Sequence, residues 1–321
     1  MHLRLIVNPI SGTRSGNARQ NLSVQLENRL RELGFDVDTC FTTCRGDATR
    51  LAREAVASGC DGVLACGGDG TVNETARAMI DAPIPMGIIP AGSGNGLARH
   101  ISIPMNPLDA VDIIAARHIV DCDFGSVNNR PFFCTFGVGF DAAVSDRFAA
   151  AKTRGKFTYI RSAIEEFASY NPNLYTIDIN GKIIEREAFL IAVCNASQWG
   201  NNAYIAPNAS ITDGLLDIIV VNKASKLRTV LLAFDLMAGL IADNSIIETF
   251  RVKKTRITRR DQGPSHIDGE PADLGIDLDI ACNPGRLKLF ASPFKTPFRP
   301  LITPAESLIA DLSMTFSNLF H

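Results

Sequence analysis

Gly67-Gly68-Asp69-Gly70-Thr71 lies between an apolar run, Gly62 to Cys66, and a helical pattern from Thr71 to Ile80. Strand, glycine turn and helix in that order aim backbone N–H groups at an anion. The glycines let the main chain approach it without Cβ interference. An acid inside such a turn opposes phosphate on charge grounds, so Asp69 points to a bound cation or to a proton that must be handled. Together these features indicate nucleotide chemistry. A second acidic motif, Asp268-Gly269-Glu270, sets two carboxylates around a glycine, so the loop can turn sharply. Taken alone, that motif reads as an ordinary exposed turn.

The elements around the first motif alternate. Leu3 to Val7 reads as a strand, and Gly16 to Leu33 as a helix with Leu22, Leu26, Leu30 and Leu33 on one face and Gly34 ending it. Phe35 to Phe41 is a second strand, Asp47 to Ala57 a second helix, Pro85 to Pro90 a further strand and Leu108 to Ala116 a further helix. Repeated strand–helix units predict a parallel sheet with helices on both faces. Three loops then leave the carboxyl ends of strands: Asn8 to Gly12, Gly67 to Asn73, and Pro90 to Asn95. A fourth, Thr42 to Asp47, ends the second strand. Ligands bind at that edge of an open α/β sheet.

No Gly-x-x-x-x-Gly-Lys-Ser/Thr sequence occurs, which excludes a P-loop, and Gly92, Gly94 and Gly96 do not make Gly-x-Gly-x-x-Gly. After about residue 120 the texture changes to strands: Ile119 to Gly125, Arg130 to Val138, Leu174 to Ile179, Lys182 to Cys194, Leu215 to Val221, Phe250 to Thr258 and Leu287 to Phe290. Helices at 142–170 and 226–242 interrupt them. The expected division is an α/β domain over 1–120, a β-rich domain over 121–295, and a C-terminal amphipathic helix over 296–321.

With 321 residues, 46% of them hydrophobic, the chain can bury two cores. A net charge of −2 carries no nucleic-acid footprint. Eight dispersed cysteines without a Cys-x-x-Cys pair read as reduced thiols in a cytosolic protein. The N-terminal apolar run is too short for a signal peptide, and the run around 230–242 is too short for a span and carries Asp235. In the tail, Thr303-Pro304-Ala305-Glu306 reads as a capping box, followed by Leu308, Leu312, Phe316 and Leu319 at helical spacing. That face is expected to dock on the chain's own body, with a membrane or a homodimer contact as alternatives. Arg251, Lys253, Lys254, Arg256, Arg259 and Arg260 form a basic segment that suits either anionic lipid headgroups or a solvated strand. His266, just before the acidic loop, reads as structural.

Asn8-Pro9-x-Ser11-Gly12, Gly67-Gly68-Asp69-Gly70-Thr71-x-Asn73-Glu74 and Pro90-x-Gly92-Ser93-x-Asn95 resemble the catalytic domain of diacylglycerol kinases, a family that includes bacterial lipid kinases, sphingosine kinases and ceramide kinases. Further along, Gly137-Val138-Gly139-Phe140-Asp141-Ala142, Gly155-Lys156-Phe157-x-Tyr159, Asp213-Gly214-Leu215-Leu216-Asp217 and Asp268-Gly269-Glu270 continue the resemblance over nearly the whole chain. Ser93 stands where the family usually has Thr, and Gly96 where an acid is common.

The resemblance implies an α/β nucleotide domain similar to those of NAD kinase and phosphofructokinase, followed by a β-sandwich carrying a lipid site. It implies transfer of the ATP γ-phosphoryl group to a lipid hydroxyl of diacylglycerol or a related alcohol, with sphingoid base or ceramide as the alternative acceptor. A non-catalytic nucleotide sensor and an NAD kinase are the competing readings. Asn8, Pro9, Ser11, Gly12, Thr42, Gly67, Gly68, Asp69, Gly70, Thr71, Asn73, Gly92, Ser93 and Asn95 would bind ATP. Glu270 would accept the alcohol's proton, with Asp268 and Asp69 as alternates. Magnesium would travel with ATP, and a second, structural ion would lie at Ser210, Asp213 and Leu215. The enzyme would be cytoplasmic and peripherally membrane-associated, since its substrate lies in a bilayer.

Overall fold

The computed structural model describes the chain except residues 13–15, 151–165, 168–169, 201, 227, 230, 233–234, 236–243 and 294–321. The Gly155-to-Tyr159 motif, most of the two expected interrupting helices and the C-terminal helix therefore lie outside the described residues. Two compact units emerge. The first runs from Met1 to Phe124 and regains the chain at Pro284, and the second spans Gly125–Asn283.

The first unit alternates β1 (His2–Val7), α1 (Gly16–Glu32), β2 (Asp36–Phe41), α2 (Asp47–Ala57), β3 (Gly62–Gly67), α3 (Asp69–Met79), β4 (Met86–Pro90), α4 (Gly96–His100) and α5 (Pro107–Ala115). Its strands pair in parallel in the order β4-β3-β1-β2. Chain order thus reverses between β1 and β3, which makes the carboxyl ends of those two strands the switch point of the sheet. Leu5, Val7, Leu64, Cys66 and Ile89 share a core with Leu22, Leu26 and Leu30 of α1 and with Val111 and Ile114 of α5. Ile6, Ala65 and Ile88 alternate to the opposite face and are equally buried, where α2 and α3 pack on β1, β3 and β4. Burial on both faces explains why Gly62 to Cys66 reads as an uninterrupted apolar run.

The β-rich stretch expected over 121–295 is shared between the two units. Residues from Pro284 onward belong to the first unit, because Leu289 pairs with Met86 of β4 and Phe290 is buried in the first core. The chain crosses between units along β5 (Ile119–Val127) and returns along β17 (Asp277–Phe290).

The second unit contains β6 (Arg130–Phe132), β7 (Thr135–Gly139), α6 (Phe140–Ala150), β8 (Asn173–Ile179), β9 (Lys182–Cys194), β10 (Gln198–Gly200), β11 (Ala203–Tyr204), β12 (Leu216–Asn222), β13 (Ile247–Val252), β14 (Lys254–Arg259), β15 (Ser265–Ile267) and β16 (Glu270–Pro271). It is a β-sandwich-like domain, and β9 serves both of its layers. The first half of β9 pairs with β8, whereas its second half pairs with β7 and β12. Ile191 and Val193 point into the inter-sheet core, while Leu190, Ala192 and Cys194 face a second cluster with Phe189, Ile205 and Ile219. The register against β12 shifts at Phe189, where Val221 faces Leu190 but Asn222 faces Ala188. One extra residue there moves the alternation to the other face.

Two single strands expected from the sequence are each split. Arg130 to Val138 breaks at Phe133-Cys134, and Phe250 to Thr258 breaks at Lys253, where the chain leaves β12 for β17 and β8. Half of the basic segment around that break is engaged within the fold. Arg251 is paired with Asp213 and Asp217, and Arg256 with Asp279. Arg259 is only 3% exposed. It donates through Nε to Gly275 O at 2.8 Å and through Nη1 to Gly263 O at 2.7 Å and Pro264 O at 3.0 Å. Burial pulls its pKa below the ordinary guanidinium value. Lys253, Lys254 and Arg260 stay exposed.

Arg259→Met keeps the volume of the side chain but leaves three loop carbonyls without their donor. It is expected to lower stability by about 3 kcal/mol in urea unfolding. A loss below about 0.5 kcal/mol would assign those loops to other contacts.

Candidate functional site

Three carboxyl-edge loops are joined by hydrogen bonds, two of them through Asp69. Its Oδ2 accepts the Asn95 N–H and its Oδ1 the Gly96 N–H, both at 2.8 Å. The acid therefore bridges the turn after β3 to the loop after β4, and it occupies the first amides of α4. Asn8 joins from the end of β1. Its Nδ2 donates to Thr71 Oγ1 at 3.0 Å, and its Oδ1 accepts the Ile10 N–H at 3.0 Å. The Ala91 N–H donates to Gly67 O at 2.8 Å.

Glycine is required where these loops touch. A Cβ on Gly92 would lie 2.4 Å from Gly68 Cα, one on Gly94 2.5 Å from Asp69 Oδ2, and one on Gly12 2.3 Å from Ala91 O. Gly12 also has φ +72°. No such clearance exists for a side chain. No side chain caps the N-terminus of α3, so the first amides of that helix have no side-chain acceptor at the cap.

The nucleotide candidates of the first unit fall into two groups. Asn8, Pro9, Ser11, Gly12, Gly67, Gly68, Asp69, Gly70, Thr71, Gly92, Ser93 and Asn95 lie on the three joined loops. Asn73 is buried on α3. Asn95 adopts φ 58°, donates through Nδ2 to Gly92 O at 2.9 Å, and keeps a buried Oδ1 with no protein partner. Its carboxamide oxygen is therefore left as an acceptor. The fourth loop is different. Glu74 accepts the Gly46 and Ala48 N–H groups at 2.9 and 3.3 Å, and Asp47 accepts the Thr43 N–H at 2.7 Å, the Thr43 hydroxyl at 2.6 Å and the Cys44 N–H at 3.1 Å. Those bonds hold the Asp47 carboxyl below the usual range, and the loop's donors are occupied from within. Thr42 is buried, with its N–H donated to Val7 O at 3.0 Å.

In the second unit, Asp268-Gly269 is the two-residue turn of a hairpin closed by the Ile267–Glu270 pair. Both turn residues are left-handed, φ 51° and 80°, as the tight primed turn requires. The Asp268 carboxylate points inward and accepts N–H bonds from Phe133 at 2.9 Å, Cys134 at 2.7 Å and Thr135 at 2.9 Å. Burial raises its pKa, and the three donors oppose that shift. These amides at the break between β6 and β7 explain why that expected strand is interrupted. Glu270 is half-buried on the far side of the turn.

Ser210, Asp213 and Leu215 lie on one turn before β12. Ser210 Oγ is 3.3 Å from Thr212 Oγ1, and Asp213 Oδ1 accepts the Leu215 N–H at 3.0 Å while its Oδ2 pairs with Arg251. The oxygen donors suit a hard cation, but Arg251 already supplies the positive charge at Asp213, so the residues as placed do not fit a structural ion. No acidic, histidine or cysteine cluster for a metal is found among the described residues.

Sequence reasoning missed Glu74 as a loop anchor and Asp141 as the partner of His266. Both lie inside the quoted motifs, which was the available signal, but neither spacing reveals which distant backbone a side chain will reach.

The chain matches the family model described as diacylglycerol kinase catalytic domain over residues 2–127, and that of the YegS C-terminal NAD kinase beta sandwich-like domain over residues 134–291. It is 30% identical to the diacylglycerol kinase of Bacillus subtilis over 273 residues, covering 83% of this chain and 89% of the relative. It is 28% identical to that of Mycobacterium tuberculosis over 285 residues, covering 86% and 88%. A Xanthomonas oryzae protein named "Probable lipid kinase YegS-like" is 30% identical over 303 residues, covering 90% and 95%. A solved structure of a diacylglycerol kinase from Bacillus anthracis superposes with TM-score 0.71 at 22% identity, covering 91% and 97%, which establishes the likeness in fold.

Gly92→Ala drives a methyl group into Gly68 and forces the two glycine loops apart. Titration calorimetry is expected to show at least about tenfold weaker ATP binding. Unchanged affinity would place the nucleotide away from these loops.

Proposed function

This chain belongs to the diacylglycerol kinase family, and from that premise we propose that it transfers the γ-phosphoryl group of ATP to the hydroxyl of diacylglycerol or a related lipid alcohol. The observation that carries this reading is the set of three hydrogen-bonded loops at the sheet's carboxyl edge, two of them joined by Asp69, with glycine at Gly12, Gly92 and Gly94 where the chains touch most closely. Backbone amides held that rigidly can receive phosphate oxygens without reorganising. Magnesium enters with ATP as part of the donor and offsets phosphate charge.

Phosphoryl transfer to an alcohol needs a group that accepts the hydroxyl proton as the new P–O bond forms. Three carboxylates were candidates. Asp268 is committed to three backbone amides, and Asp69 to two. Protonating either would weaken those bonds and loosen the loops they hold, so both act as structural clamps in this reading. Glu270 is carried by the clamped hairpin and is assigned the proton-accepting role. Peripheral membrane association follows from a bilayer substrate, with Lys253, Lys254 and Arg260 as the exposed cations available to anionic headgroups.

Labelled ATP offered with a panel of lipid alcohols is expected to yield phosphorylated diacylglycerol, whereas ATP binding without any lipid product would favour a non-catalytic sensor. In the same assay Glu270→Gln should lose about 10²- to 10⁴-fold in turnover with ATP affinity retained. Normal turnover would remove Glu270 from the reaction. In flotation assays, liposomes containing anionic lipid should retain more protein than neutral ones, and Lys253→Glu with Lys254→Glu should abolish the difference. Equal retention on both vesicles would remove the electrostatic contribution.

A further inference from the structure

Asp141 and His266 form a buried pair directly behind the Asp268-Gly269 turn. They are 5% and 2% exposed, and His266 Nε2 lies 3.1 Å from Asp141 Oδ2. On the other edge of the ring, Nδ1 accepts the N–H of Gly269 at 3.2 Å. An amide can only donate, so Nδ1 carries the lone pair and the ring proton sits on Nε2, facing the carboxylate. The second Asp141 oxygen accepts the Ala142 N–H at 2.8 Å at the start of α6. Gly137 makes room for the pair, because a Cβ there would fall 2.3 Å from both Asp141 Oδ2 and His266 Nε2.

We propose that His266 is a positioning residue for the Glu270 hairpin, holding the Gly269 amide through Nδ1 while Asp141 fixes the ring through Nε2. The proposal rests on the reading of Glu270 as proton acceptor. A turn with both central residues left-handed stores strain in the non-glycine one, and it keeps its shape only where its surroundings hold it. Asp268 secures the turn on one side through the amides of Phe133, Cys134 and Thr135. Without His266, the Gly269 amide has no holder on the other side. Glu270 follows immediately, so a small rotation at Gly269 displaces its carboxylate. The ring itself touches no reacting atom, and its effect reaches the reaction through the backbone.

The test compares the whole protein with His266→Phe and His266→Asn. Phe fills the space but cannot accept the amide, whereas the Asn carbonyl can still reach it. His266→Phe is expected to lower kcat about 100-fold with the KM for ATP unchanged, and His266→Asn to recover most of that loss. Wild-type kcat in the Phe variant, or equal losses in both variants, overturns the proposal. Hydrogen exchange at the Gly269 amide provides a readout independent of turnover. Protection lost in the Phe variant and kept in the Asn variant supports the proposal even if no lipid is phosphorylated, an outcome that would sink the kinase reading alone. Unaltered protection in His266→Phe overturns it. If the Phe variant does not fold, a kcat for His266→Asn more than about tenfold below wild type counts against the proposal.

Discussion

Two hydrogen bonds from the Asn95 and Gly96 amides to the Asp69 carboxylate set the geometry of the first unit's carboxyl edge. Bonds from backbone N–H to an ionised carboxylate are among the stronger ones available, and they act across a loop pair that carries almost no side chains. They explain the acid in a glycine-rich phosphate turn. Its charge neutralises helix amides of α4 and leaves the uncapped amides of α3 without a side-chain acceptor. They also explain why Gly92 and Gly94 admit no Cβ, since the loops can approach this closely only as bare backbone.

The second unit uses the same device on a different scaffold. Asp268 gathers three amides at the break between β6 and β7, and His266 gathers a fourth. In each unit an acid with an outwardly catalytic appearance is turned inward to shape backbone. In the reading adopted above, the reacting carboxylate, Glu270, is the one next to such a clamp.

Charge in the basic segment follows burial more than count. Six cations within ten residues look like a surface for anions, yet Arg251 and Arg256 face carboxylates and Arg259 is enclosed by loop carbonyls. Alternation along β14 puts Arg259 on the buried face with Thr255 and Ile257, whereas Lys254 and Arg256 share the exposed face.

The parallel α/β half was legible because its determinants are local. Apolar runs buried on both faces, Gly34 at a helix end and glycine turns after strands depend on near neighbours in the chain. The family motifs located the site loops for the same reason. Sequence alone also singled out Asp69, Asp268 and Glu270 as candidates, but did not show what each one touches. Nothing in Asp-Gly-Glu distinguishes the acid that clamps three amides from the one beside it, because Phe133 to Thr135 lie more than 130 residues away and meet it only through the pairing of β7 with β15. The return of Leu289 and Phe290 to the first core, the split strands and the burial of Arg259 are of the same kind. Residue types and spacing determined which groups this protein has for its chemistry. Long-range strand pairing decided which backbone groups each of them meets, since a side chain's partners depend on what the fold brings beside it.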